Sequence, residues 1–187
     1  GRPVTGVAKA MGWAPFHRWV TGLRSRYGNR ILDKEGALPE MTRTLRGGGL
    51  LALLVDQNPR TAEGVEVVFF GHPVAATPAA ALAAIRCRMP LVPVFCLRQG
   101  TGDFRIVFHP PLAGERRGAL RDDIQRLTQE TTGVIEGVIR EHPDQWFWFH
   151  KRWKRAYPWL YHEAEGRRLR RKVRRLQALR DKLAGGG

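Results

Sequence analysis

An α/β fold is what this sequence predicts, on three observations. A helix-patterned stretch from Lys34 to Arg46, with Leu38, Met41, Thr42 and Leu45 at helical offsets, stops at Gly47-Gly48-Gly49 and gives way at once to the apolar run Leu50–Val55. Helix, glycine stop and strand-length apolar run in succession are the grammar of an α/β layer. Phe104-Arg105-Ile106-Val107-Phe108 alternates as a half-buried strand should. From Ala119 to Arg140 apolar residues recur at Leu120, Ile124, Leu127, Val134, Ile135, Val138 and Ile139, which is a long amphipathic helix.

The 187 residues, 43% of them hydrophobic, are enough for one domain with a real core. Cys87 and Cys96 have no metal or redox spacing and read as small buried side chains. No apolar run reaches transmembrane length, and Gly1-Arg2-Pro3-Val4 is neither an initiator Met nor a signal peptide, so a piece of a longer chain is expected. The net charge of +15 is uneven: residues 151–187 hold 13 Lys+Arg against 3 Asp+Glu, a net +10. An anionic partner is therefore implied more by the tail than by the body.

In chain order, residues 3–8 make one short strand. Phe16, Trp19, Val20 and Leu23 follow at helical spacing and lead into Arg24-Ser25-Arg26-Tyr27-Gly28-Asn29-Arg30, where Gly28-Asn29 marks a turn. Three arginines around a turn either cradle a phosphate or form a solvated basic loop. Leu50–Val55 reads as a buried strand that delivers Asp56, Gln57 and Asn58 to its carboxyl end, and Val65–Phe70 is a second β-rich run, broken by Gly71-His72-Pro73. Thr77-Pro78 opens a helix, Ala79–Arg88, expected to be buried, and Pro90–Leu97 is another strand. His142-Pro143 ends the long helix.

Gln145-Trp146-Phe147-Trp148-Phe149-His150-Lys151-Arg152-Trp153-Lys154-Arg155 interleaves five aromatics with bases. Such a block suits single-stranded nucleic acid, a bilayer interface, or a core plug of aromatics with a charged rim. The last helix, roughly 164–184, sets Leu169, Val173, Leu176, Leu179 and Leu183 on one face among arginines. It reads as a membrane-surface helix, a helix docked on the body, or a short coiled coil.

Phosphate-binding glycine loops, Gly-x-Ser-x-Gly elbows and histidine pairs at metal spacing are all missing from the sequence, which removes several enzyme classes. None of the six histidines has an acid five residues on. Asp56 is the best single chemical residue. An acid at a strand end beside two amides orients a hydroxyl or holds a positive group, or else it is an ordinary turn or cap aspartate.

Taken together, these residues resemble the bacterial lipid A biosynthesis acyltransferase family, the late lauroyl and myristoyl transferases, sister to the glycerol-phosphate acyltransferases. The likeness runs through Arg24 to Asn29, Asp56-Gln57, Gly64-Val65 with Val67 to Gly71, Thr77, Val92-Pro93, and the Ile124 to Glu136 helix. It is most specific at Pro143-Asp144-Gln145-Trp146-Phe147-Trp148-Phe149-His150-Lys151-Arg152-Trp153-Lys154.

The resemblance implies a glycerol-phosphate-acyltransferase-like mixed sheet flanked by helices, truncated at the N-terminus. An acyltransferase domain over 1–158 would be followed by a basic helical tail over 159–187. It implies transfer of an acyl chain from acyl carrier protein thioester to a hydroxyl of a phosphorylated glycolipid, at the cytoplasmic face of the inner membrane, with no cofactor or metal. In such enzymes a His-x-x-x-x-Asp/Glu pair deprotonates the hydroxyl. That pair is expected upstream of Gly1 with a membrane anchor, leaving this chain inactive alone. Asp56 then matches the acidic element facing the catalytic histidine, and Arg26, Arg24 and Gln57 match groups that bind substrate. A non-catalytic module binding anionic membrane or nucleic acid is the competing class; if the enzyme reading holds, no nucleic acid is expected.

Overall fold

A computed structural model describes residues 2–59, 64–154, 157 and 161. The expected C-terminal basic helix lies outside the described residues. The chain runs β1 (Val4–Ala8), α1 (Ala14–Ser25), β2 (Arg30–Asp33), α2 (Leu38–Arg46), β3 (Leu50–Ala52), β4 (Val65–Phe69), β5 (His72–Ala76), α3 (Ala79–Cys87), β6 (Val94–Arg98), β7 (Phe104–Phe108) and α4 (Leu120–Glu141), then a short 3-10 turn at Pro143–Gln145.

The α/β class is as expected, but the strands do not form one mixed sheet. They divide into a parallel sheet of order β2-β1-β3 and two antiparallel hairpins, β4-β5 and β6-β7. A reason lies in α4, which runs along the free edge of β4. Gln129 accepts from the Val68 amide (2.7 Å) and donates to the Val68 carbonyl (3.0 Å), Gln125 donates to the Glu66 carbonyl, and Glu136 accepts from the Phe70 amide (2.6 Å). Helix side chains thus take the hydrogen bonds that a further strand would make.

Several boundaries differ from the sequence reading. Gly71-His72-Pro73 does not end a β run; it turns it back on itself. Phe70 (φ 51°) and Gly71 (φ 76°) form a left-handed two-residue turn, the kind that matches strand twist, and β5 returns in register with Val67 opposite Val74. Helix α3 begins at Ala79 as expected, but Pro78 and not Thr77 is its cap, and the Thr77 hydroxyl accepts from the Ala79 amide at 3.4 Å. Cys96 is exposed, not buried, because alternation puts it with Val94 and Arg98 on the outward side of β6, while Cys87 is half-buried. Ile31-Leu32 belongs to a strand, β2, that the sequence reading left unassigned.

The core has three parts. Leu32, Ala37, Met41 and Ala83 pack with Val7, Leu45, Leu51 and Leu53 between the parallel sheet and α2. Val67, Phe69, Val74 and Ile139 join the β4-β5 hairpin to α4, with Trp146 and Trp153 against them. Ala81, Ala84, Ile85 and Leu127 join α3 to α4. Burying each large aliphatic side chain contributes about 1.5–3 kcal/mol.

Candidate functional site at the carboxyl edge of the parallel sheet

Strand order 2-1-3 means that the chain leaves β1 for one neighbour and later fills the other side. The switch point is therefore between β1 and β3 at their carboxyl ends, where open α/β sheets leave a crevice for ligands. The loops there are residues 9–13 after β1 and residues 53–59 after β3. Asp56 sits in the second. The ladder to β1 ends at Gly6 opposite Ala52, so β3 is three residues shorter than the apolar run, and Asp56 lies in the following loop instead of at the strand's last position.

Asp56 is half-buried, and the charge it meets is Arg152. Arg152 is only 3% exposed. Its Nη1 donates to the Ala75 carbonyl at 2.5 Å, and its guanidinium lies 5.4 Å from the centre of the Phe69 ring. Burial pushes the Arg152 pKa below its ordinary value, and the Asp56 carboxylate pulls it back towards the charged form. A buried guanidinium is costly unless compensated. Its carbonyl and ring partners join the β5 end to the β4 core at one side chain, and the Asp56 charge acts on it from the loop after β3.

In the sequence Arg152 is one residue of the Pro143–Lys154 string, with nothing to give it a role of its own. Among Lys151, Lys154 and Arg155 it looks like part of a charged rim; only the specificity of the string around it marked the position.

Four buried polar atoms in these segments have no hydrogen-bond partner among the described residues: Asn58 Oδ1, His150 Nδ1, Arg152 Nε and Trp153 Nε1. Buried polar groups are ordinarily satisfied, so an unpaired acceptor in the loop of Asp56 and unpaired donors in the segment of Arg152 are groups with bonding capacity in reserve. Val55, Thr77, Thr128 and Thr131 line a narrow cavity of about 10 Å³ behind the loop.

The other site residues lie apart. Arg24, in the last turn of α1, and Arg26, its C-cap, are exposed in the segment that leads to the start of β2; Asn29 there accepts from the Val4 amide at 2.9 Å. That is the amino edge of the parallel sheet, the length of a strand away from the carboxyl edge where Asp56 lies. Gln57 is exposed beside Asp56.

The aromatic-basic block divides between core and surface. Trp146 and Trp153 pack on Phe69 with ring centres at 5.6 and 5.7 Å, and Gln145 clamps Arg98 of β6 by accepting from its amide (2.8 Å) and donating to its carbonyl (3.3 Å). Trp148 donates to the Pro143 carbonyl at 2.6 Å. Trp146 and Trp153 form the core plug, whereas Phe147, Trp148 and Phe149 are exposed.

Fold and site together define an α/β domain whose candidate chemistry sits at a sheet switch point, an acid backed by a buried guanidinium. The family model described as bacterial lipid A biosynthesis acyltransferase matches residues 1–155, and the chain belongs to that family. The family is one of acyltransferases. A search of curated proteins returns no match. Among the described residues no helix is long and apolar enough to cross a membrane.

Proposed function

We propose that this domain serves acyl transfer from acyl carrier protein thioester to a hydroxyl of a lipid A precursor or related phosphorylated glycolipid. The hydroxyl oxygen attacks the thioester carbonyl, the carbon–sulfur bond breaks, and the hydroxyl proton ends on the carrier thiol. The proton is taken by the histidine of a His-x-x-x-x-Asp/Glu pair, a pattern that no histidine of these 187 residues satisfies, so the chain alone does not turn over. Asp56 is the acid that faces this histidine across the pocket, and Arg152 is its positioning residue. Arg26, Arg24 and Gln57 bind the phosphorylated substrates. The reaction takes place at the cytoplasmic face of the inner membrane, with an anionic membrane surface against the basic tail.

The observation that supports this reading most is Asp56 in the loop at the β1/β3 switch point, within electrostatic reach of the buried Arg152, in a chain of an acyltransferase family. The reaction is tested by incubating acyl carrier protein charged with a labelled fatty acid and a phosphorylated glycolipid with two samples. One is this chain; the other is a polypeptide carrying the same residues together with the histidine pair. Labelled glycolipid ester from the second sample alone is expected. Ester formed equally by the first would overturn the assignment of the base, and no ester from either would overturn the proposed donor and acceptor.

A further inference from the structure

A surface helix ordinarily turns its apolar stripe to the core. Helix α1 does the reverse. At about 100° per residue, His17, Thr21 and Ser25 share one face, and that polar face is half-buried, together with Val20 at the margin of the apolar stripe. Phe16, Trp19 and Leu23, continued by Trp13 before the helix and Tyr27 after it, share the outward side with exposures of 42, 60, 47, 68 and 82%. No residue of α1 is buried. The rings of Trp13, Phe16 and Trp19 stack along the outside at 6.3 and 5.8 Å.

The charge in the segment that carries this stripe has one sign, although Arg30 is paired with Glu40 of α2. Residues 1–32 contain Arg2, Lys9, Arg18, Arg24, Arg26 and Arg30 and no Asp or Glu. On the helical projection Arg24 borders the stripe on the Trp13 side and Arg26 borders it on the Trp19 side. A continuous exposed apolar patch of this kind marks a docking surface. The rim selects the occupant: a second copy docked stripe to stripe would set arginines against arginines, whereas a phospholipid surface brings phosphates to them. Trp and Tyr are the side chains that settle at headgroup depth, with apolar bodies below and polar tips above.

We propose that α1 lies in the plane of an anionic phospholipid surface, with Phe16, Trp19 and Leu23 beneath the headgroups and Arg24 and Arg26 on lipid phosphates. This goes beyond the proposed function, which sets the membrane against the basic tail. It shares Arg24 and Arg26 with that reading, which gives them to phosphorylated substrate, and a domain acting on a membrane lipid has use for such a contact; lipid binding is measured without turnover, so the two ideas fail separately.

The test is flotation of the whole 187-residue chain with phosphatidylglycerol-containing vesicles and with phosphatidylcholine vesicles. Binding to the anionic vesicles is expected to fall about tenfold or more in Trp13→Ser/Trp19→Ser, and about fivefold per arginine in Arg24→Gln/Arg26→Gln. The tail is common to all variants, so differences report on α1. Trp13→Phe/Trp19→Phe is expected to keep binding but lose much of the tryptophan quenching caused by brominated phosphatidylglycerol. These side chains are exposed, and unchanged circular dichroism checks that the variants are folded. Wild-type flotation by the Ser pair, or equal quenching of wild type and the Phe pair, would overturn the proposal. So would a lipid-free dimer seen by sedimentation and abolished by the Ser pair, which would give the stripe to a second copy.

Discussion

On one face of the parallel sheet Val7, Leu32 and Leu51 pack directly against Met41 and Leu45 of α2; on the other, Ala8, Ile31 and Asp33 look across a cavity of about 170 Å³ at His17 and Thr21 of α1. The same strands supply both faces by alternation. One crossover helix is held by burial of its apolar side, and the other turns that side outward. Stability and surface function are therefore separated by the sheet: the α2 side carries the fold, and the α1 side is open to binding.

The sharpest way to break this contrast is to truncate both sides. Met41→Ala, at a position 4% exposed, should cost about 2–5 kcal/mol in urea unfolding, while Trp19→Ser should stay within about 0.5 kcal/mol of wild type. Similar losses from both would show that α1 is as much part of the core as α2. Next in size is Arg152→Ala, which leaves the Ala75 carbonyl without its donor and should cost about 1–3 kcal/mol by the same measurement. A neutral result would remove Arg152 from its place as the joint between β5 and the β4 core.

What the sequence made legible follows from where local rules act alone. Helices α2 and α4 and strand β7 were readable because periodicity and the glycine stop at Gly47 are local signals. The position of Asp56 in the exit from β3 was readable because apolar-to-polar breaks mark strand exits. The β4-β5 hairpin was missed because its turn carries Phe70 at a left-handed position, where glycine or asparagine is the usual cue. The end of β3 at Ala52 was missed because pairing with β1, and not composition, sets its length. Arg152 was hidden by its basic neighbours. The outward stripe of α1 was legible as periodicity but not as direction, since spacing identifies a face without saying which way it points.

Acid sensitivity belongs to α4, which packs on α3 and the β4-β5 hairpin. Hydrogen bonding from the Gly118 amide, opposed by burial and joined by the Arg117 amide and the Arg126 charge, holds the Asp123 carboxyl below its ordinary pKa. For Glu136, burial acts upward, but the Phe70 amide and Arg140 outweigh it and the net shift is also downward. A lowered native pKa means that the unfolded chain binds more protons. The stability these groups supply is thus present above the usual carboxylate range and is lost as pH falls through it. Asp123→Asn should flatten the acid limb of a stability-against-pH curve, and an unchanged limb would contradict the role given to the 117–118 loop. The smallest expected effect is a gain: Thr21→Val puts apolar volume into the α1-side cavity and should stabilise by about 0.5–1 kcal/mol in thermal or urea unfolding. A loss would mean that the polar lining is needed to hold α1 in place.

The most direct test of the whole account is a comparison of kcat and KM for acyl transfer by Asp56→Ala and Arg26→Ala, each made in a polypeptide that also carries the histidine pair. The account predicts that Asp56→Ala abolishes kcat in a folded protein, while Arg26→Ala, at the opposite edge of the sheet, mainly raises KM. Wild-type kcat in Asp56→Ala would contradict it.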